Sequence, residues 1–123
     1  KYGYYKESQY TITMKGIDGA RQIAEIMDKL RKNPPKAFGT RKVLKFRDYL
    51  NDRIVDMESG AETTTGLPKS NVLYFELPDD EWCCARPSGT EPKIKFYMGV
   101  KGSSLEDAKA RLEQLTEDLK AEL

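Results

Sequence analysis

Residues 94–100, Ile-Lys-Phe-Tyr-Met-Gly-Val, place an apolar side chain at every second position. A period of two is the pleat of a β-strand, so Ile94, Phe96, Met98 and Val100 face a core while Lys95 and Tyr97 face away from it. Immediately before this run stands Arg86-Pro87-Ser88-Gly89-Thr90-Glu91-Pro92-Lys93, and Trp82 to Arg86 reads as the strand that enters it. A chain with this pattern is committed to a half-buried sheet whose strands are joined by one tight polar loop.

The composition of that loop suits a phosphate ester. Arg86 offers a planar fork for two phosphate oxygens, which a lysine cannot match. Ser88 and Thr90 add hydroxyl donors, and Gly89 lets the backbone approach with its N–H forward. Pro87 and Pro92 fix φ, and a loop that is already stiff loses less entropy when an anion arrives. Lys95, on the outward face of the following strand, is placed to add a second positive charge. Glu91 would repel a phosphate, so it is expected to point outward or to pair with a lysine. The candidate phosphate ligands are therefore Arg86, Ser88, Gly89, Thr90 and Lys95.

The rest of the chain reads as α+β. Tyr4 to Met14 is a first strand ended by Gly16. Asp18 is placed to cap a helix whose apolar stripe is Ala20, Ile23, Ala24, Met27 and Leu30, and Asn33-Pro34-Pro35 stops it. Val43 to Leu50 reads as a second strand, with Asp48 out of place on its apolar face. Ser59 to Asn71 is polar and reads as one long loop, expected to be mobile. Val72 to Leu77 and Trp82 to Arg86 form a hairpin around Pro78-Asp79-Asp80. Ser103 and Glu106 have capping-box spacing, opening a helix to about Leu119 with Leu105, Ala108, Leu112, Leu115 and Leu119 as its stripe. This order lacks regular βαβ alternation, which predicts a mainly antiparallel sheet with two helices packed on one face.

Bulk composition narrows the function classes. At 123 residues the chain is one domain with room for a core. Its 21 Lys and Arg against 20 Asp and Glu leave a formal charge of only +1, which argues against a nucleic-acid partner. No apolar stretch is long enough to cross a bilayer, so no membrane partner is expected. The two cysteines, Cys83 and Cys84, are adjacent and there is no His, so neither a disulfide nor a metal site is expected in this chain. Reduced thiols fit a cytoplasmic location. Lys1 in place of a start Met suggests a piece of a longer protein.

Arg86 to Lys93 with Ile94-Lys95-Phe96-Tyr97 resembles the phosphate-binding loop in the last domain of the α-D-phosphohexomutases, the family of phosphoglucomutases and phosphomannomutases. Tyr4-Tyr5, the helix near Gly16, the Gly66-Leu67-Pro68-Lys69-Ser70-Asn71 stretch and the closing helix also fit that domain in order. The resemblance implies residues 1–123 as a single C-terminal, fourth domain with a TATA-binding-protein-like fold. It implies a parent enzyme, an intramolecular phosphotransferase that interconverts hexose 1-phosphate and hexose 6-phosphate through a bisphosphorylated sugar. The parent's cofactors would be Mg²⁺ and glucose 1,6-bisphosphate, and its partners the phosphosugar and the other domains of the same chain. The phosphoserine and the metal-binding aspartates of the family lie outside this sequence, so the 123 residues alone are expected to bind without turnover and to hold no catalytic residue. Glucose is the first expectation for the sugar and mannose the alternative. A stand-alone phosphate-binding regulatory module is the rival from a different class.

Overall fold

A computed structural model describes residues 4–88 and 91–123. Within them the order is β1 (Tyr4–Thr13), α1 (Gly19–Lys32), β2 (Ala37–Phe38), β3 (Arg41–Lys42), β4 (Lys45–Asp48), β5 (Arg53–Asp56), β6 (Glu62–Thr63), β7 (Leu73–Glu76), a 3-10 turn at Pro78–Asp80, β8 (Trp82–Pro87), β9 (Lys93–Gly102) and α2 (Leu105–Ala121). Seven strands make one sheet in the order β1-β9-β8-β7-β4-β5-β6, and β2 pairs with β3 separately. Every pairing is antiparallel. The expected α+β class with a mainly antiparallel sheet holds.

Alternation decides which face is buried. Phe46, Leu73, Phe75, Cys83, Ala85, Ile94, Phe96, Met98 and Val100 all point to one side and are at most slightly exposed. Ile23, Met27 and Leu30 of α1, and Leu112, Leu115 and Leu119 of α2, join them in a single cluster. Each large side chain so buried contributes about 1.5–3 kcal/mol against exposure. Phe75 sits at the centre, edge-on to Phe38 and tilted against Phe46 with centroids 5.2 Å apart in both pairs. Both helices therefore cover the same face, and the opposite face is left open.

Several local expectations need correction. Asp18 is the N-cap residue of α1, yet its side chain makes no capping hydrogen bond and instead meets Arg21 at 3.3 Å. Ala20 and Ala24 are exposed, so the buried stripe is narrower than the sequence suggested. At α2 the cap is Ser104 rather than Ser103: Ser104 Oγ accepts from the Asp107 N–H at 3.0 Å, and Asp107 Oδ2 accepts the Ser103 N–H at 2.8 Å. Leu105 lies outside the buried stripe and is exposed.

The second strand is shorter than expected, Lys45–Asp48, and Leu50 is exposed. Asp48 does share the buried face with Phe46, because polar partners meet it there. Its Oδ1 accepts from Arg31 Nε at 3.1 Å and its Oδ2 from Asn51 Nδ2 at 2.7 Å. Burial raises the Asp48 carboxyl, but these hydrogen bonds outweigh it and hold the group below its ordinary range. Strands β5 and β6 occupy ground read as connection, and β6 lies inside the expected long loop.

Candidate functional site

Strands β8 and β9 run side by side into the Arg86–Lys93 loop, with Arg86 directly opposite Lys95 and Cys84 opposite Tyr97. By alternation these four side chains stand on the open face. Two like charges at opposed positions of an antiparallel pair disfavour folding. Among the described residues neither Arg86 nor Lys95 has a carboxylate within ion-pair distance, and the Glu91 carboxylate, which feels the Lys95 charge, is itself paired with Lys93. An anion between Arg86 and Lys95 would relieve their repulsion.

The base of the loop is fixed by backbone. The Ser88 N–H donates to the Lys93 carbonyl at 2.9 Å, and the Glu91 N–H donates to Ser88 Oγ at 3.3 Å. The Pro92 carbonyl accepts from the Met14 N–H at 2.8 Å, which ties the loop to the end of β1. Glu91 behaves as expected: it pairs with Lys93 at 2.9 Å. The hydrogen bond and charge of Lys93 hold the Glu91 carboxyl below its usual range. Its negative charge is thereby offset beside the cations.

These residues border a cavity of about 310 Å³ between Arg86, Pro87, Ser88, Glu91, Lys93, Lys95 and Tyr97. Three sequence-derived candidates, Arg86, Ser88 and Lys95, thus share one concavity, which is at the small end of the range for ligand sites. Gly89 and Thr90 lie outside the described residues. The thiol of Cys84 is pushed up by burial, with Arg86 opposing, so it stays protonated near neutrality and offers no nucleophile. Cys83 is buried and free.

A close contact that braces the loop was not legible in the sequence. Gly19, at the start of α1, packs so closely on the loop that a Cβ there would lie 2.8 Å from the Pro92 Cβ and 3.0 Å from the Met14 carbonyl oxygen. Gly19→Ala should therefore displace Pro92 or α1, costing about 1–3 kcal/mol in urea denaturation. A cost below about 0.5 kcal/mol would show that this contact does not brace the loop.

For the Mg²⁺ that the family resemblance implies, the described residues contain no cluster of three or more His, Cys, Asp or Glu able to hold a metal. The described residues therefore do not fit the ion. Among the described residues no helix is long and apolar enough to cross a membrane.

No protein-family model matches the chain. It is similar to the phosphoglucomutases of Staphylococcus aureus strains USA300 and COL, at 34% identity over 110 residues in each case. Those residues are 89% of this chain and 20% of each relative. The chain therefore spans about a fifth of the length of the curated relatives it matches.

Proposed function

We propose that this chain, which belongs to the α-D-phosphohexomutase family, is a single domain that binds the non-reacting phosphate of a hexose monophosphate within a larger mutase. The opposed Arg86–Lys95 pair, which has no ion-pair partner among the described residues, beside a braced loop carries this reading. Arg86 would hold two phosphate oxygens, Ser88, Gly89 and Thr90 would donate hydrogen bonds, and Lys95 would add charge. Each hydrogen bond to a charged group contributes about 1.5–3 kcal/mol net. Three or four of them give millimolar to micromolar affinity after association costs.

The parent reaction on this reading interconverts hexose 1-phosphate and hexose 6-phosphate through a bisphosphorylated sugar, as a phosphoglucomutase with phosphomannomutase as the alternative. This chain holds the substrate rather than breaking a bond. Clamping one phosphate fixes the sugar's orientation and supplies binding energy for closure of the surrounding domains. The fragment alone would then bind without catalysis, in the cytoplasm, with the phosphosugar and neighbouring domains as its partners.

Adding inorganic phosphate to the 123-residue chain should shift backbone amide signals from Ser88 to Glu91 and at Lys95, with affinity falling as salt rises. Shifts spread evenly over the chain would count against the site. So would a response centred on the two-stranded β2–β3 hairpin.

A further inference from the structure

Among the described residues the open sheet face beyond the cationic cavity carries Tyr5, Tyr74, Trp82 and Tyr97, and the first three are engaged with one another. The Trp82 indole N–H donates to the Tyr5 hydroxyl. Tyr74 stacks on Trp82 with centroids 5.9 Å apart, and the Arg47 guanidinium lies 5.6 Å from the Tyr74 centroid. Tyr97 differs. Among the described residues no ring stacks on it and its hydroxyl has no hydrogen-bond partner.

Its position is also distinctive. Tyr97 borders the cavity that holds Arg86 and Lys95, and it borders a second cavity of about 330 Å³ with Glu7, Gln9 and Trp82. Gln9 is its direct partner on β1, and Glu7 stands opposite Gly99, two residues farther along β9. Lys95 and Tyr97 are two residues apart on one strand face, about 6.8 Å. That step is comparable to the offset between an ester phosphate and the middle of the hexose ring that bears it. The C–H face of a sugar packs on an aromatic face, while a carboxylate and an amide beside it take hydroxyls.

We infer that Tyr97 is the platform for the hexose ring of the bound monophosphate, with Glu7 and Gln9 hydrogen-bonding its hydroxyls. The inference rests on the phosphate reading and extends it to the sugar. A phosphate held at Arg86 and Lys95 directs the attached ring along the open face onto Tyr97. Tyr97 is then a positioning residue, and it makes this domain a contributor to recognition of the sugar as well as of its phosphate.

Titrating the 123-residue chain with inorganic phosphate and with glucose 6-phosphate separates the two readings. Glucose 6-phosphate should bind about 5- to 10-fold more tightly. It should add amide shifts at Gln9, Tyr97 and Gly99 that inorganic phosphate does not produce. Tyr97→Ala should bring the two affinities together while leaving that for inorganic phosphate unchanged, and Tyr97→Phe should keep most of the difference. If Tyr97→Ala does not fold, the exposed pair Glu7→Ala with Gln9→Ala should still lower glucose 6-phosphate affinity about threefold. Equal affinities in the wild type, or a preference untouched by these variants, overturn the platform and leave the phosphate site standing. Failure of inorganic phosphate to bind overturns both.

Discussion

If the proposed function holds, replacing Arg86 by alanine in the full-length parent enzyme lowers kcat/KM by about 100-fold or more. The argument starts from the fork: two charge-assisted hydrogen bonds at about 1.5–3 kcal/mol each give at least about 3 kcal/mol, and each 1.4 kcal/mol is tenfold. On the proposed reading part of the loss should fall on kcat, because energy gained at the remote phosphate would be used for closure rather than for uniform binding. Arg86→Lys keeps the charge and loses the fork, so its deficit should be about tenfold. Folding is a weak confounder here. Arg86 is exposed and makes no ion pair among the described residues, so either variant should leave stability within about 0.5 kcal/mol. A well-folded Arg86→Ala enzyme with kcat/KM within threefold of the wild type would remove the loop from the reaction.

The grouping of Arg86, Ser88 and Lys95 around one candidate cavity was legible because those residues are close in sequence. Arg86, Ser88 and Lys95 lie within ten residues, and strict alternation after Lys93 by itself places Lys95 and Tyr97 on the open face. The hairpin of β7 and β8 was legible for the same reason, since Pro78-Asp79-Asp80 is turn chemistry between two apolar runs. What escaped depends on partners far apart in sequence. Arg53-Ile-Val-Asp is too short and too charged at its ends to announce β5, which exists because β4 and β6 flank it. Asp48 looked misplaced on an apolar face because its guanidinium partner is 17 residues upstream on α1. Gly19 gave no signal at all: only the approach of Pro92, 73 positions later by subtraction, makes a side chain intolerable there.

The largest feature invisible to pattern reading is a buried carboxylate. Glu81 is almost fully enclosed, with Arg41 Nε donating to its Oε1 at 2.8 Å and Arg111 Nη2 to its Oε2 at 2.8 Å. The Lys101 N–H reaches the same Oε2 at 3.2 Å, so one side chain joins the β2–β3 hairpin, β9 and α2. Burial raises the Glu81 carboxyl, and the bonds from Arg41 and Arg111 more than cancel this, leaving it below the ordinary glutamate value. Glu81→Gln would leave two guanidinium groups facing a neutral amide, with Asp118 at 3.7 Å from Arg41 as the nearest remaining countercharge. Breaking such a cluster from one side costs about 3–5 kcal/mol. For a domain of this length that is a fall in Tm of roughly 12–20 °C.

The pH dependence gives an independent check with a fixed sign. Because the folded state holds the proton less well than the unfolded chain, the contribution is complete above the unfolded value, about pH 4.3, and fades as pH falls through the folded one. The wild type should therefore lose its advantage over Glu81→Gln in acid, while the two differ by a nearly constant amount from pH 5.5 to 8 (about 3 kcal/mol or more in urea denaturation). Removing Arg41 as well, in Glu81→Gln with Arg41→Met, should cost less than the sum of the single changes, since the second substitution removes one of the stranded charges. A neutral-pH cost under about 1 kcal/mol, or a gap that does not close in acid, would mean that apolar packing alone positions α2 and the β2–β3 hairpin.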